Sequence, residues 1–261
     1  MRLTVVGSGT VAPEPDRVCA CYHVDAGAGA RILLDCGPGS LHHMARFGVP
    51  WSEVTHLVVS HFHPDHIGGI PILLFSMKYG LAEPRRRHLD VVGPVGTVDL
   101  FRRLADAFGP YILDPGFHVL VREVAPGEVV PLDAETTLRA HAVPHTDESL
   151  AYRIETGGAA VGYTGDTGPD DAVADFLGGV DLLIAECSLP DDLAIPIHLS
   201  PSSVARMARR AEPRTLLLTH VYPQLGWDRV EAAVRGAGWS GEIVVARDGL
   251  GISVAGSGAT G

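Results

Sequence analysis

Residues 60 to 68 read Ser60-His61-Phe62-His63-Pro64-Asp65-His66-Ile67-Gly68, which puts three imidazoles and a carboxylate within six positions. Imidazole nitrogen is a borderline ligand and carboxylate oxygen a hard one, so the set suits zinc, with manganese or iron as alternatives. Four donors this close in sequence cannot all reach one tetrahedral ion, which predicts a pair of metal sites completed by residues from elsewhere. Three further polar residues follow apolar runs: His145 after 138–143, Asp166 after 160–163, and His220 after 215–219. Two ions about 3.5–4 Å apart can share a hydroxide and stabilise both the attacking and the leaving oxygen, and zinc lowers the pKa of its water from about 15.7 towards ~7. The chemistry expected of such residues is hydrolysis without a serine or cysteine nucleophile.

The elements that must position these groups are short. Apolar runs of strand length, bounded by Gly and Pro, fall at residues 2–6, 31–35, 56–60, 88–92, 118–123, 137–142, 151–155, 160–163, 181–185, 215–219 and 243–246. Helical periodicity marks residues 69–79, 95–108, 201–211 and 228–236; in the third, Ser200 is the N-cap and Pro201 the first helical residue. Strands and helices interspersed in both halves predict sheets covered by helices on their outer faces, an α/β layered architecture. The polar clusters then fall in loops at the carboxyl ends of strands, where such sheets carry their sites.

Composition narrows the function further. The 261 residues carry 31 acidic and 20 basic side chains, a net charge of −11, which argues against an extended nucleic-acid-binding surface. Lys78 is the sole lysine, so a lysine nucleophile is not expected. Cys19, Cys21, Cys36 and Cys187 form no C-x-x-C pair and read as buried free thiols rather than a disulfide framework. No apolar stretch approaches the ~18 residues of a membrane span, and the first residues show no secretory signal pattern, which together predict a cytoplasmic protein. One hydrolase domain is expected over residues 1–255, with a flexible tail at 256–261.

In this order and setting, the seven residues resemble the ligand set of the metallo-β-lactamase fold superfamily, and the likeness runs from Val5-Val6-Gly7-Ser8-Gly9-Thr10 through Leu33-Leu34-Asp35-Cys36-Gly37-Pro38-Gly39 to Leu218-Thr219-His220. The resemblance implies a four-layer αββα sandwich, two mixed sheets flanked by helices. It also implies that His61, His63 and His145 bind one ion, that Asp65, His66 and His220 bind the other, and that Asp166 bridges them. The remaining histidines, His56 and His141 among them, match no ligand position.

Within the superfamily the chain is most similar to ribonuclease Z and its phosphodiesterase relatives. His198-Leu199-Ser200 resembles that branch's H-S-T-like segment, which implies that His198 protonates the leaving oxygen. Glu186 resembles the glutamate that orients this histidine, Ser149 matches a serine able to hydrogen-bond phosphate, and Asp65 would take the proton of the attacking water. Two departures stand out. Only twenty residues separate His145 from Asp166, leaving no room for the arm with which ribonuclease Z grips tRNA, and Val221-Tyr222-Pro223 replaces the usual F-S-x-R-Y. The expected protein is therefore a dinuclear phosphodiesterase acting on a small phosphodiester, a cyclic nucleotide or an RNA end, and the resemblance implies a homodimer formed near residues 68–79. The alternatives are a lactone or thioester hydrolase resembling glyoxalase II or the lactonases, and an inactive metal-binding scaffold.

Overall fold

The computed structural model describes residues 1–27 and 29–256. Two seven-stranded sheets stack face to face. The strands are β1 (Arg2–Gly7), β2 (Cys21–Asp25), β3 (Arg31–Leu34), β4 (His56–Val58), β5 (Leu89–Pro94), β6 (Val119–Val124), β7 (Val129–Pro131), β8 (Thr137–Ala142), β9 (Leu150–Thr156), β10 (Ala159–Tyr163), β11 (Leu182–Glu186), β12 (Thr215–Thr219), β13 (Glu242–Val245) and β14 (Gly251–Ser253). The first sheet runs β14-β1-β2-β3-β4-β5-β6 and the second β13-β12-β11-β10-β9-β8-β7. Each is mixed: β3 to β6 are parallel in one and β10 to β13 in the other, while the remaining pairings are antiparallel.

Why the strands read as continuous apolar runs follows from the layers. On β3, Ile32 and Leu34 face the space between the sheets, whereas Leu33 turns outward against helices. Likewise Leu182 and Ile184 of β11 point inward, and Leu183 and Ala185 outward. A strand covered on both faces has no use for alternation. The outer face of the first sheet is closed by α1 (Ser40–Arg46), α3 (Ile70–Tyr79) and α4 (Thr97–Phe108), through Met44, Leu73, Leu74, Met77 and Phe101. The second is closed by α5 (Asp171–Phe176), α6 (Pro201–Ala211) and α7 (Val230–Gly236), through Val173, Val204, Ala208, Val230 and Val234. A single turn, α2 (Pro64–Ile67), carries part of the histidine cluster. The result is the expected four-layer αββα sandwich.

All eleven expected strands form, and α6 has its predicted bounds, with Ser200 and Ser203 making a reciprocal capping box. Three strands were not anticipated. β2 is buried although its sequence mixes Cys, Tyr, His and Asp, and β7 and β14 are edge strands of three residues each. Of the tail expected at 256–261, Gly256 alone lies among the described residues. No helix among the described residues is long and apolar enough to cross a membrane.

The basic run Arg85-Arg86-Arg87 reads in the sequence as a solvated turn, but Arg85 is 7% exposed. Its guanidinium donates to the carbonyls of Ser52, Val54 (2.6 Å), Arg87 (2.9 Å) and His88 (2.9 Å), clipping together the entries to β4 and β5. Burial, reinforced by Arg87, pushes its pKa down to about 10, which leaves it charged at neutral pH. Arg85→Met should cost about 3 kcal/mol, because buried carbonyls lose a charged donor. Urea denaturation measures this, and a loss under about 1 kcal/mol would refute the clip.

Candidate metal centre

Loops at the strand ends of both sheets converge on one place. After β4 come His61, His63, Asp65 and His66; after β8 comes His145; after β10, Asp166; and after β12, His220. Potential ligand atoms of His61, His63, His145 and Asp166 all lie within 4.8 Å of one another, as do those of Asp65, His66 and His220. Asp166 reaches into both groups: its Oδ2 is 4.0 Å from His61 Nε2, 3.9 Å from His145 Nε2 and 3.6 Å from His220 Nε2, and its Oδ1 is 3.4 Å from His66 Nε2. The seven residues singled out in the sequence are thus brought together in the two groups expected. His56 lies at the start of β4, and His141 stacks on Phe176 at 5.0 Å.

A test of fit for a cation comes from the hydrogen bonds. His61 Nε2, His66 Nε2 and Asp166 Oδ1 are fully buried and have no hydrogen-bond partner. Buried polar atoms are almost always paired, so three orphans facing one another mark the position of a missing partner. Nitrogen and carboxylate oxygen in this mixture fit a divalent transition ion. The electrostatics agree. Burial, then the neighbouring His66, hold His61 far below the ordinary imidazole range. Burial alone would also depress His66, but Asp166 and Asp35 hold it well above. Burial would raise Asp166, yet His220 and His66 keep its carboxyl well below the usual range.

Three of the histidines, His66, His145 and His220, are aimed by their other nitrogen. Asp35, fully buried at the end of β3, accepts from His66 Nδ1 (2.7 Å), Ser60 N (2.7 Å), Ser60 Oγ (2.7 Å) and Tyr163 Oη (2.6 Å). It therefore fixes β3, the histidine loop and β10 to one another. His145 Nδ1 donates to the Ile197 carbonyl at 2.9 Å, and His220 Nδ1 lies 3.1 Å from Ser188 Oγ. Asp35 and His220 both adopt left-handed backbone, φ 56° and 54°, the kind of strain that collects at functional sites. Gly37 allows the close packing behind them, since a Cβ there would come within 2.1 Å of the Asp65 carbonyl.

Glu186, 1% exposed, is the second buried hub. It accepts from Thr167 N (2.6 Å), beside Asp166, from Ser188 Oγ, and from His198 Nδ1, 3.0 Å from each of its oxygens. With Nδ1 committed, Nε2 is the nitrogen His198 has free. A His198 nitrogen also lies within 4.8 Å of ligand atoms of Asp166 and His220. Burial depresses the His198 pKa, but the hydrogen bond and charge of Glu186 outweigh it and leave the ring above its ordinary value.

Ser149 sits differently from the expectation. It is 2% exposed, and its hydroxyl accepts from Thr146 N (3.1 Å) and pairs with Thr146 Oγ1 (2.5 Å), which closes the His145 loop instead of facing a phosphate. Tyr152 donates to the Val59 carbonyl at 2.8 Å and Arg153 to that of Gly178 at 2.6 Å, so both serve packing. Sequence reasoning gave no role to Asp35 or Ser188. Asp35 carried the same signal as the others, a polar residue ending an apolar strand.

This arrangement, two mixed sheets between helices with a His/Asp cluster at their strand ends, defines a metallohydrolase fold. The Beta-lactamase superfamily domain profile matches residues 30–221, and the chain belongs to that superfamily. It is 28% identical to Ribonuclease Z of Haloferax volcanii, over 97% of this chain and 95% of the relative. Among solved structures, the metallo-beta-lactamase fold protein YhfI from Bacillus subtilis superposes with a TM-score of 0.83 at 25% identity, covering 96% of this chain and 98% of that one. The short form of human tRNase Z superposes with a TM-score of 0.79 at 22% identity, over 98% and 100%.

Asp35→Asn should weaken metal binding by about 10- to 100-fold, because the amide removes the carboxylate charge behind His66 Nδ1 and turns its NH2 group against Ser60 N at the Oδ1 place or against Ser60 Oγ, Tyr163 and the His66 ring at the Oδ2 place. Chelator competition measures it; an affinity within threefold of wild type would remove Asp35 from any supporting role.

Proposed function

We propose that the protein is a phosphodiesterase holding two divalent ions, Zn2+ in the first instance with Mn2+ or Fe as alternatives, and that it acts on small phosphodiesters, cyclic nucleotides or RNA ends. His61, His63 and His145 would hold one ion, Asp65, His66 and His220 the second, and Asp166 both. Once bound, such ions supply a nucleophilic water near neutral pH and neutralise charge on the phosphoryl oxygens.

The observation that carries this reading is the Glu186–His198 pair. A phosphodiester expels an alkoxide, which is a poor leaving group unless it is protonated. His198, gripped by Glu186 through Nδ1, holds a proton at Nε2 for that oxygen. A thioester expels a thiolate that needs no such donor, which disfavours the thioesterase alternative. Asp65, whose Oδ2 lies 3.4 Å from His220 Nε2, is kept below the usual carboxylate range by His220 and His66 although burial would raise it. It remains ionised to take the proton of the attacking water. Glu186 acts as a positioning residue, and Ser149 serves the reaction only by fixing the His145 loop.

We assign the protein to the cytoplasm, where its four thiols, all free in the fold, stay reduced. A homodimer is inferred through α3, which exposes Ile72, Phe75 and Tyr79, with the Phe75 ring 4.8 Å from Tyr79 and 5.0 Å from Tyr111. Sedimentation should give twice the chain mass for wild type and one chain mass for Ile72→Glu/Phe75→Glu; a monomeric wild type would refute it.

His198→Ala should lower kcat on alkyl phosphodiesters about 10²- to 10³-fold, with a smaller loss on bis(p-nitrophenyl) phosphate and unchanged metal content. Because Glu186 raises the His198 pKa, wild-type kcat should fall as pH rises through it, and Glu186→Gln should move that limb to lower pH. Equal losses on alkyl and aryl esters, or turnover of thioesters alone, would overturn the assignment.

A further inference from the structure

Whatever alcohol leaves the phosphorus departs on the side of its proton donor, and one segment of chain is built there. Residues 189–197 run from the end of β11 to His198 and open with the 3-10 turn Asp191–Leu193. The strap is tied down at both ends. Asp191 accepts from Ser202 N at 3.0 Å and Ser202 Oγ at 2.7 Å, while the Ile197 carbonyl takes the Nδ1 hydrogen of His145. Between them the Pro196 carbonyl presses on Gly168, where a Cβ would come within 1.8 Å, so the strap lies directly against the loop that carries Asp166.

From these anchors the strap presents Leu193, Ile195 and Ile197 to solvent, 50%, 40% and 41% exposed. Three large aliphatic side chains within five residues are costly to leave in water, and nothing in the core requires them there. The loops that carry His61 to His66, His145, Asp166 and His198 hold charged groups of one sign only, their histidines aside. Residues 60–69, 144–149, 164–170 and 186–200 contain no lysine or arginine, but they include Asp147, Glu148, Asp170, Asp191 and Asp192. Arg17, from the loop after β1, is already engaged with Ser8 Oγ (2.6 Å), the Ala246 carbonyl (2.7 Å) and the Trp227 ring, over which it stacks at 3.5 Å. A nucleotide chain brings further phosphates and finds no free cation among these loops, whereas an uncharged alkyl or aryl group finds the exposed aliphatic side chains of the strap that leads into the proton donor.

We propose that Leu193, Ile195 and Ile197 form the leaving-group subsite, and that they select phosphodiesters of apolar alcohols over nucleotide chains. This rests on the phosphodiesterase reading and on His198 as proton donor. In the step, the water oxygen forms its bond to phosphorus and gives its proton to Asp65. The phosphorus–oxygen bond to the alcohol breaks, that oxygen takes the Nε2 proton of His198, and the neutral alcohol leaves across the strap.

The test compares kcat/KM of the metal-loaded full chain on diethyl phosphate, dihexyl phosphate and a dinucleotide, for wild type, Leu193→Ser/Ile195→Ser and the milder Ile195→Ala. Wild type should prefer the dihexyl over the diethyl ester by about tenfold or more, and over the dinucleotide as well. The double variant should compress the dihexyl-to-diethyl ratio below about threefold with its metal content intact, and Ile195→Ala should fall between. A wild type indifferent to chain length, a better rate on the dinucleotide, or variants that keep the preference would overturn the subsite and leave the phosphodiesterase reading standing. Cleavage by wild type of none of the three diesters, nor of a cyclic nucleotide or a short RNA, would instead defeat that reading, and the subsite with it.

Discussion

Buried imidazole nitrogen and carboxylate oxygen gathered 3.4 to 4.0 Å apart, without well-formed hydrogen bonds to satisfy them all, are the constraint on which this structure turns. His61 Nε2, His66 Nε2 and Asp166 Oδ1 are buried without partners, and such groups persist only where something compensates them. A divalent ion would supply that compensation, and the protein is organised to hold the cluster in place for one. Its means are two buried carboxylates. Asp35 holds the outer nitrogen of His66 while it binds Ser60 and Tyr163, and Glu186 holds His198 while it binds Thr167 and Ser188. Both accept hydrogen bonds only, so every group around them must donate, which fixes the tautomers of the rings they touch.

The two hubs also set the geometry between sheets. Asp35 belongs to the first sheet and Tyr163 to the second, and Tyr22 of β2 reaches across to Thr219 Oγ1 at 2.7 Å. Apolar packing between the layers carries most of the adhesion, since residues such as Leu34, Val58, Tyr152 and Ile184 are wholly removed from water. Packing of this kind tolerates small slides. Directional bonds at the rim of the sandwich remove that freedom where a few tenths of an ångström matter, between potential ligands contributed by opposite sheets.

Much of this was legible in the chain. The seven potential ligands could be picked out because each follows an apolar run, and the layers follow from strands too apolar to have a wet face. What escaped had physical causes. Strand β2 mixes polar and aromatic residues because its burial is supplied by neighbours on both sides, which no local pattern reveals. Arg85 looked like surface charge, since nothing in three consecutive arginines tells which one turns inward to four carbonyls. Ser149 looked like a phosphate contact, whereas the tightness of its own turn consumes its hydroxyl. The role of Asp35 depends on partners 25, 31 and 128 residues away, a distance at which spacing carries no information.

The pairing of β1 with β14 bears on how the chain comes to be folded as it is made. The first strand lies between β2 and β14, the Met1 amine donates to the Val254 carbonyl at 3.0 Å, and Ser8 is held by Asp248 through its backbone nitrogen and hydroxyl. Ser8 in turn supplies the carbonyl that receives the His220 backbone nitrogen at 3.0 Å. On a ribosome adding roughly 5–20 residues per second, the N-terminal strand therefore waits on the order of 10–50 s for its last partner to be synthesised. Until then, the edge of β1 that β14 will cover is open to any other strand, and this part of the nascent chain depends on chaperones or on speed for protection.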